Sequence, residues 1–316
     1  MLATQLRALA ATADGTVAAT VIHLPSGARA SIHGDQRLPM MSVFKLPLAL
    51  IALREVDAGR RHLEDAVPLT FDELRPGVSP IAEAWQRGEK APTLEVLLRE
   101  MLLASDNTSG DKLVTLGGGG AAITAALEAV GVHGIAIAEQ EIAISGRIEC
   151  AGVAAPKKGW TPAAIAQCRP SAAAVAAAMR QEIVAAPNAA SSDALAALMV
   201  AIDGGTLLSP RLQGWLMTTL AATRTGAGRL RRGIPADTRL AHRTGTGTTH
   251  GGVNLATNDV GLIWLPDGSR LAIAVLTAGR RDDDAAREAT IAAIARAAYA
   301  AFAPAVTRAA GPTAAP

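Results

Sequence analysis

Apolar residues fall in short β-leaning runs near both ends of the chain and follow a helical pattern through the middle. Val17 to Leu24 and Ala28 to Ile32 are joined by Pro25-Ser26-Gly27, which predicts a hairpin. Leu240 to Gly247, Thr257 to Leu265 and Leu271 to Thr277 predict three successive strands, with Pro266-Asp267-Gly268 as the turn between the last two. Thr93 to Ala104, Asn107 to Leu116, Ala121 to Val130, Ala172 to Val184, Asp193 to Ile202 and Pro210 to Leu220 predict helices. So does Ser42 to about Val56, where Pro47 is tolerable only near the helix start or at a kink. Leu2, Leu6 and Leu9 share one side of an amphipathic first helix. Asp282 to Phe302 forms a closing helix with acids in its first turn, where the dipole favours them.

This order predicts an α+β fold. Both chain ends build one antiparallel sheet with flanking helices, and an all-helical subdomain is inserted between them. The expected division is a discontinuous α/β subdomain at 1–41 and 221–303, a mostly helical subdomain at 42–220 and a flexible tail at 304–316. Active residues then collect at the seam. The least periodic stretch, 145–190, holds both cysteines and Lys157-Lys158-Gly159-Trp160. It reads as an extended loop with one helix at Ser171 to Val184, a length uncommon in a compact domain unless functional or mobile.

Half of the 316 residues are hydrophobic, enough for a substantial core and for two domains or one large unit. Thirty Lys and Arg against 28 Asp and Glu leave a net charge of +2, with no basic stripe interleaved with aromatics, so no nucleic-acid partner is expected. No run approaches the ~20 apolar residues that span a bilayer, so no stable membrane insertion is expected. The first fifteen residues are too short and polar for a secretory signal. That points to the cytoplasm, or to a targeting segment removed or lying upstream. Cys150 and Cys168 match no zinc spacing, and a disulfide or two free thiols both stay open. The histidines at 23, 33, 62, 133, 242 and 250 form no ligand cluster and read as structural or solvated. No metal or cofactor is implied.

Three short motifs carry chemistry. In PMMSVFKLP, Ser42 and Lys45 are three apart, so the hydroxyl and the amine share a helix face within hydrogen-bonding reach. Ser105-Asp106-Asn107 sits where one helix yields to the next, and a helix cap is its simplest reading. Arg243-Thr244-Gly245-Thr246 lies on a strand, followed by Gly247, where glycine lets a substrate backbone approach the edge. Together they share a logic. A serine hydroxyl attacks only after a base takes its proton, and lysine serves as base when burial or a neighbouring cation keeps it partly neutral. Ser105 can relay a proton to a leaving nitrogen, Asn107 can hold an amide, and Arg243 supplies a fixed positive charge. The N–H groups of Ser42 and Thr246 can face a developing oxyanion.

The ordered set S-x-x-K, S-D-N and a basic residue before T-G resembles the serine β-lactamases of class A and the penicillin-binding D,D-peptidases. The resemblance covers nearly the whole chain, through PMMSVFKLP, LLASDNTSGDKL, TRTGAGRLRRGIP, LAHRTGTG and ATNDVGLIWLPDG. It implies Ser42 as the acylated nucleophile, Lys45 as its proton-transfer neighbour and Ser105 as the shuttle to the β-lactam nitrogen. Asn107 holds the acylamino side chain, and Thr244, Gly245 and Thr246 line the carboxylate and oxyanion side. Arg229 resembles the arginine that anchors the carboxylate in some members; the alternative is one more cation of the surface cluster RLRR.

Class A enzymes also carry a deacylating glutamate on a later loop, and IAIAEQEIAISG offers two. A gapless register from Ile123 to Gly131 selects Glu141, with Ser145 where the family has a water-orienting asparagine. A local E-x-E-L-N match selects Glu139 instead, with Ala143 in the water position, which is the weaker choice because alanine holds no water. Arg243 stands where most members have lysine, so a planar five-donor fork replaces a compact ammonium. Val78 stands where an aromatic is common, which weakens stacking on the substrate.

The implied partner is a small β-lactam, acted on by a monomer in a periplasmic or secreted location. A D,D-peptidase, another serine amidase or esterase, or a binding domain acylated once by penicillin would share acylation. None of these needs a dedicated glutamate.

Overall fold

A computed structural model describes residues 1–157 and 159–303; the expected tail at 304–316 lies outside the described residues. Five strands form the central sheet: β1 (Thr16–His23), β2 (Arg29–Ile32), β3 (Leu240–Thr246), β4 (Thr257–Trp264) and β5 (Arg270–Ala278). Their order is β2-β1-β5-β4-β3 and the pairings are antiparallel. The two chain ends meet where Thr16 faces Ala278 and His23 faces Leu271.

Alternation along the strands splits the core in two. Val17, Ala19 and Val21 of β1, with Leu271, Ile273 and Val275 of β5, pack against Leu6, Ile291 and Ile294 of the two terminal helices. Those helices are Leu2–Ala11 and Asp284–Phe302, the second capped by Asp283 accepting from Ala286 N at 2.8 Å. Ala18, Ala272, Ala274 and Leu276 point the other way, into the larger core. There the helix Ser192–Asp203 covers the sheet, although in sequence it falls within the helical stretch.

The helix Lys45–Asp57 is the axis of the helical part, and Leu46, Leu48, Leu50 and Leu53 bury it on every side. A helix apolar all round belongs in a core. Pro47 is its third residue, in the first turn, where a missing N–H forfeits no helical bond. Helices Leu94–Leu103, Asn107–Leu116 and Gly120–Ala129 surround it.

The extended loop expected at 145–190 is more ordered than its composition suggests. A helix Glu141–Glu149 runs through its start, a short helix Pro162–Ala166 follows, and Ala172–Ala185 is the expected third. Gly146 lies inside the first of these helices, where Trp160 packs so closely that a Cβ would lie 2.3 Å from its Cδ1. Cys150 and Cys168 are joined in a disulfide. Ala189–Ala190 pairs with both Leu38–Pro39 and Ile135–Ala136, tying the segment to the chain just before Ser42. No helix among the described residues is long and apolar enough to cross a membrane.

Candidate active site

Ser42 lies in the 3-10 turn Met41–Phe44, which runs directly into the helix begun by Lys45. Met41 has φ +45°, a left-handed conformation that costs a non-glycine residue ~1–3 kcal/mol. Gly245 of β3 makes room for this turn, since a Cβ there would lie 2.4 Å from the Met40 carbonyl oxygen. At Gly245 the chain itself makes this close approach; at Gly247, where the sequence predicts the approach of a substrate backbone, a Cβ would lie 2.7 Å from Leu255 Cβ.

Lys45 is fully buried. Its Nζ donates to Ser105 O at 2.8 Å and Asn107 Oδ1 at 2.7 Å, lies 3.4 Å from Ser105 Oγ, and stands 3.4 Å from Glu141 Oε2. Among the described residues it makes no hydrogen bond to Ser42. The shared face holds for the two backbones, but the long stem carries the amine across to the 105–107 segment. Burial lowers the Lys45 pKa and Arg243 adds to this, while Glu141, Asp106 and Asp111 pull it back.

Within Ser105-Asp106-Asn107 the cap and the chemistry fall on different residues. Asp106 is the cap: Oδ1 accepts from Ser109 N at 2.7 Å, and Oδ2 accepts from Ile81 N at 2.8 Å and Ser79 Oγ at 3.1 Å. Ser105, at φ +67°, and Asn107 both meet the lysine. Ser105 Oγ also accepts from Arg243 Nη2 at 2.7 Å. Two cations donate to this oxygen, so its own proton is free for a third partner.

Arg243 is fully buried, and its Nε and Nη1 have no hydrogen-bond partner among the described residues. Burial pushes its pKa down to about 10, against the pull of Glu141 and Asp259, which leaves it charged at neutral pH. The neighbouring His242, read from sequence as structural, pairs with buried Asp259 at 2.9 Å.

Arg229 is not a solvated surface cation. It is buried, and it donates to Glu288 Oε1 at 3.0 Å, Gly245 O at 3.2 Å, Asn258 O at 2.9 Å and Thr246 Oγ1 at 2.6 Å. Thr244 Oγ1 meets Thr225 Oγ1 at 2.6 Å. Sequence reasoning missed Thr225, although it sits in the TRTGAGRL segment that singled out Arg229.

The two glutamates separate. Glu141 Oε2 is buried beside Lys45 with no hydrogen-bond partner among the described residues. Glu139 turns away to Arg147 at 2.5 Å, and the same guanidinium holds Glu182 at 2.5 Å. Asp111, also missed from sequence, anchors the first turn of the glutamate's helix. Its Oδ1 accepts from Glu141 N at 2.6 Å, and its Oδ2 accepts from Ile142 N at 3.1 Å and Arg75 Nε at 2.7 Å. A buried carboxylate at a helix N-terminus satisfies free N–H groups and the dipole together.

Ser42, Val78, Ser105, Asn107, Glu141, Arg229, Thr244 and Thr246 line one cavity of about 210 Å³. A neighbouring cavity of about 440 Å³ shares Glu141 and Thr246 and is walled by Met41, Ile144, Ser145, Val175, His250 and Leu255. Ser145 lines this second space, not the first.

The chain matches the beta-lactamase enzyme family over residues 1–302. It is 29% identical over 269 residues to the extended-spectrum β-lactamase PER-1 of Pseudomonas aeruginosa, covering 85% of this chain and 76% of that protein. β-Lactamase VEB-1 of the same organism is 29% identical over 266 residues, covering 84% and 78%. Among solved structures, a β-lactamase from Chitinophaga pinensis superposes with a TM-score of 0.78 at 31% identity, covering 95% of this chain and 98% of that one. An ancestral class A β-lactamase superposes with a TM-score of 0.77 at 28% identity, covering 96% and 100%. With its motifs in order around one cavity and this match along its length, the chain belongs to the β-lactamase enzyme family, among the class A serine enzymes.

Proposed function

We propose that the protein hydrolyses the β-lactam amide through an ester on Ser42. Ser42 Oγ bonds to the lactam carbonyl carbon, its proton passes to Lys45, and the ring C–N bond breaks as Ser105 protonates the nitrogen and takes a proton from Lys45 in its place. Burial and Arg243 favour the neutral amine that Lys45 needs as a base. The N–H groups of Ser42 and Thr246 receive the oxyanion. Arg229, Arg243, Thr244 and Thr246 take the substrate carboxylate, and Asn107 holds the acylamino group, whose substituent extends into the larger cavity. Glu141 then takes a proton from a water oriented by Ser145. The hydroxide bonds to the ester carbon, the bond to Ser42 Oγ breaks, and Ser42 regains the proton that Glu141 took, which restores both groups. General acid–base steps of this kind contribute about 10²–10⁴-fold each.

The observation that carries this reading is the 3.4 Å approach of Glu141 Oε2 to Lys45 Nζ, at the wall of the cavity that Ser42 lines. A D,D-peptidase or a one-time penicillin sensor has no need of that carboxylate. The disulfide supports action outside the cytoplasmic membrane, in an oxidising compartment. Turnover of a chromogenic cephalosporin, followed by intact-mass measurement, tests the reading. Many turnovers with no lasting adduct are expected, whereas one equivalent consumed and a persistent Ser42 adduct would replace hydrolase by trap.

A further inference from the structure

We propose that Asn258 is a positioning residue for the nucleophile. Its buried carboxamide holds the Pro39 and Met40 carbonyls, and through them the backbone that presents Ser42 and its N–H to the reacting carbonyl. The inference rests on the reading of Ser42 given above.

Asn258 is a fully buried polar residue of β4. Its Nδ2 donates to Pro39 O at 2.8 Å and Met40 O at 3.0 Å, and its Oδ1 accepts from Thr277 N at 2.8 Å. Both amide hydrogens and the carbonyl are used. The partners fix which way the group faces, since two carbonyls require the NH₂ and an N–H requires the oxygen. Opposite Asn258 in β3 stands Gly245, whose missing side chain admits the same Met40 carbonyl. Met40 O is therefore seated between two strands, gripped by one and given room by the other.

Met41 comes next, at φ +45°, and Ser42 follows it. A left-handed non-glycine residue persists where its surroundings over-determine it. Asn258 is the side chain that holds this turn, beside the backbone bond from Met40 N to Asn188 O at 2.9 Å. Its own carbonyl also accepts from Arg229 Nη1 at 2.9 Å, so one residue sets the nucleophile turn against the carboxylate anchor. Oxyanion donors act when held about 2.7–3.1 Å from the oxygen, a tolerance that a loosened turn would exceed.

Two variants test this. Asn258→Asp keeps the shape and the acceptor but sets a carboxylate against two carbonyls. Asn258→Ser keeps one donor on a smaller side chain. Stopped-flow acylation by a chromogenic cephalosporin is measured per folded molecule, with folding read by circular dichroism. Affinity for a boronic acid, whose tetrahedral Ser42 adduct puts an oxygen at the oxyanion position, is measured alongside. Both quantities should fall together, by about 100-fold in the Asp variant and about 10-fold in the Ser variant. A purely structural role would lower the melting temperature and leave acylation per folded molecule unchanged. Wild-type acylation in either folded variant rejects the proposal. Loss of fold in both also rejects it, by making Asn258 a stability residue alone. If the unsubstituted protein forms no Ser42 adduct, the nucleophile assignment fails instead, on a measurement that involves neither variant.

Discussion

The cavity has two kinds of wall, and they are built differently. On one side Ser42, Ser105 and Asn107 line it, backed from behind by the fully buried Lys45 and Arg243. On the other side Glu141 begins a helix whose apolar residues belong to two small clusters, one around Ile142, Cys150 and Ile165, the other around Ile148, Val175, Met179 and Leu255. The first wall holds the groups proposed for acylation, and the second holds those proposed for deacylation. On the proposed mechanism, trapping a β-lactam requires the rigid wall alone. Turnover requires the second wall as well, which is held by a few named bonds instead of a large core. Each wall should therefore fail in its own way.

The largest effect expected is loss of the adduct itself. Ser42→Ala should abolish acylation, because Ser42 is the serine that lines the cavity one turn before a lysine; Ser109, three positions before Lys112, is buried and does not line it. Incubation with excess penicillin and intact-mass analysis checks it. An undiminished adduct in the variant would move the nucleophile elsewhere and dissolve the division of labour between the walls.

Next in size is the loss of deacylation alone. Glu141→Gln should form the Ser42 adduct and release it about 10²–10⁴-fold more slowly. Glu139→Gln should stay near wild type, since its partly exposed pair with Arg147 is worth ~0–1 kcal/mol. Pre-steady-state kinetics resolves the two steps. Slow release in Glu139→Gln with normal release in Glu141→Gln would reverse the assignment, and normal release in both would remove the carboxylate from the mechanism.

The two walls were unequally legible in the sequence, for physical reasons. Local spacing encodes the rigid wall: Ser42 and Lys45 are one turn apart, Ser105 and Asn107 flank a cap, and Arg243 to Thr246 lie on one strand. The sheet assembled from both chain ends was readable because β5 and the closing helix are long, apolar and bounded by turn residues. The helix Glu141–Glu149 was not, because the stretch from 145 onward carries no helical apolar period and reads as an extended loop. The 189–190, 38–39 and 135–136 pairings are two residues long, too short for any periodicity. Asp111, Thr225 and Asn258 act through contacts 17 or more positions away, so spacing carries no trace of them. The register of Glu141 depended on family resemblance; the structure sets its Oε2 3.4 Å from Lys45 Nζ and pairs Glu139 with Arg147.

A smaller effect should come from the carboxylate side of the rigid wall. Arg229 has five N–H donors, and four are spent on Glu288, Gly245, Asn258 and Thr246, leaving one for substrate. Thr246 Oγ1 accepts from Arg229, so its own proton is available as well. Arg229→Ala should raise KM about 10-fold with kcat little changed, the mark of an interaction made equally in ground and transition states. Steady-state kinetics with two structurally different β-lactams measures it. An unchanged KM for both would confine Arg229 to a structural role.

The smallest effect should separate the walls most finely. The Cys150–Cys168 bond closes a loop of 18 positions, and a cross-link of that span is worth ~3 kcal/mol in the chain-entropy account. It fastens the far end of the glutamate's helix, where Cys150 is the C-terminal cap residue, to the segment after Pro162–Ala166. The near end, which carries Glu141, is fastened separately by Asp111. Replacing both cysteines by serine should therefore loosen the helix from its C-terminal end and leave the glutamate partly held. Hydrogen exchange over 141–149 should quicken. Deacylation should slow by a few-fold, well short of the ~100-fold that a full 1 Å displacement brings, while acylation stays within about 2-fold. Both rates come from one stopped-flow experiment with the double variant. Equal losses in the two steps would show that the loop supports the rigid wall too, and that the walls do not fail independently.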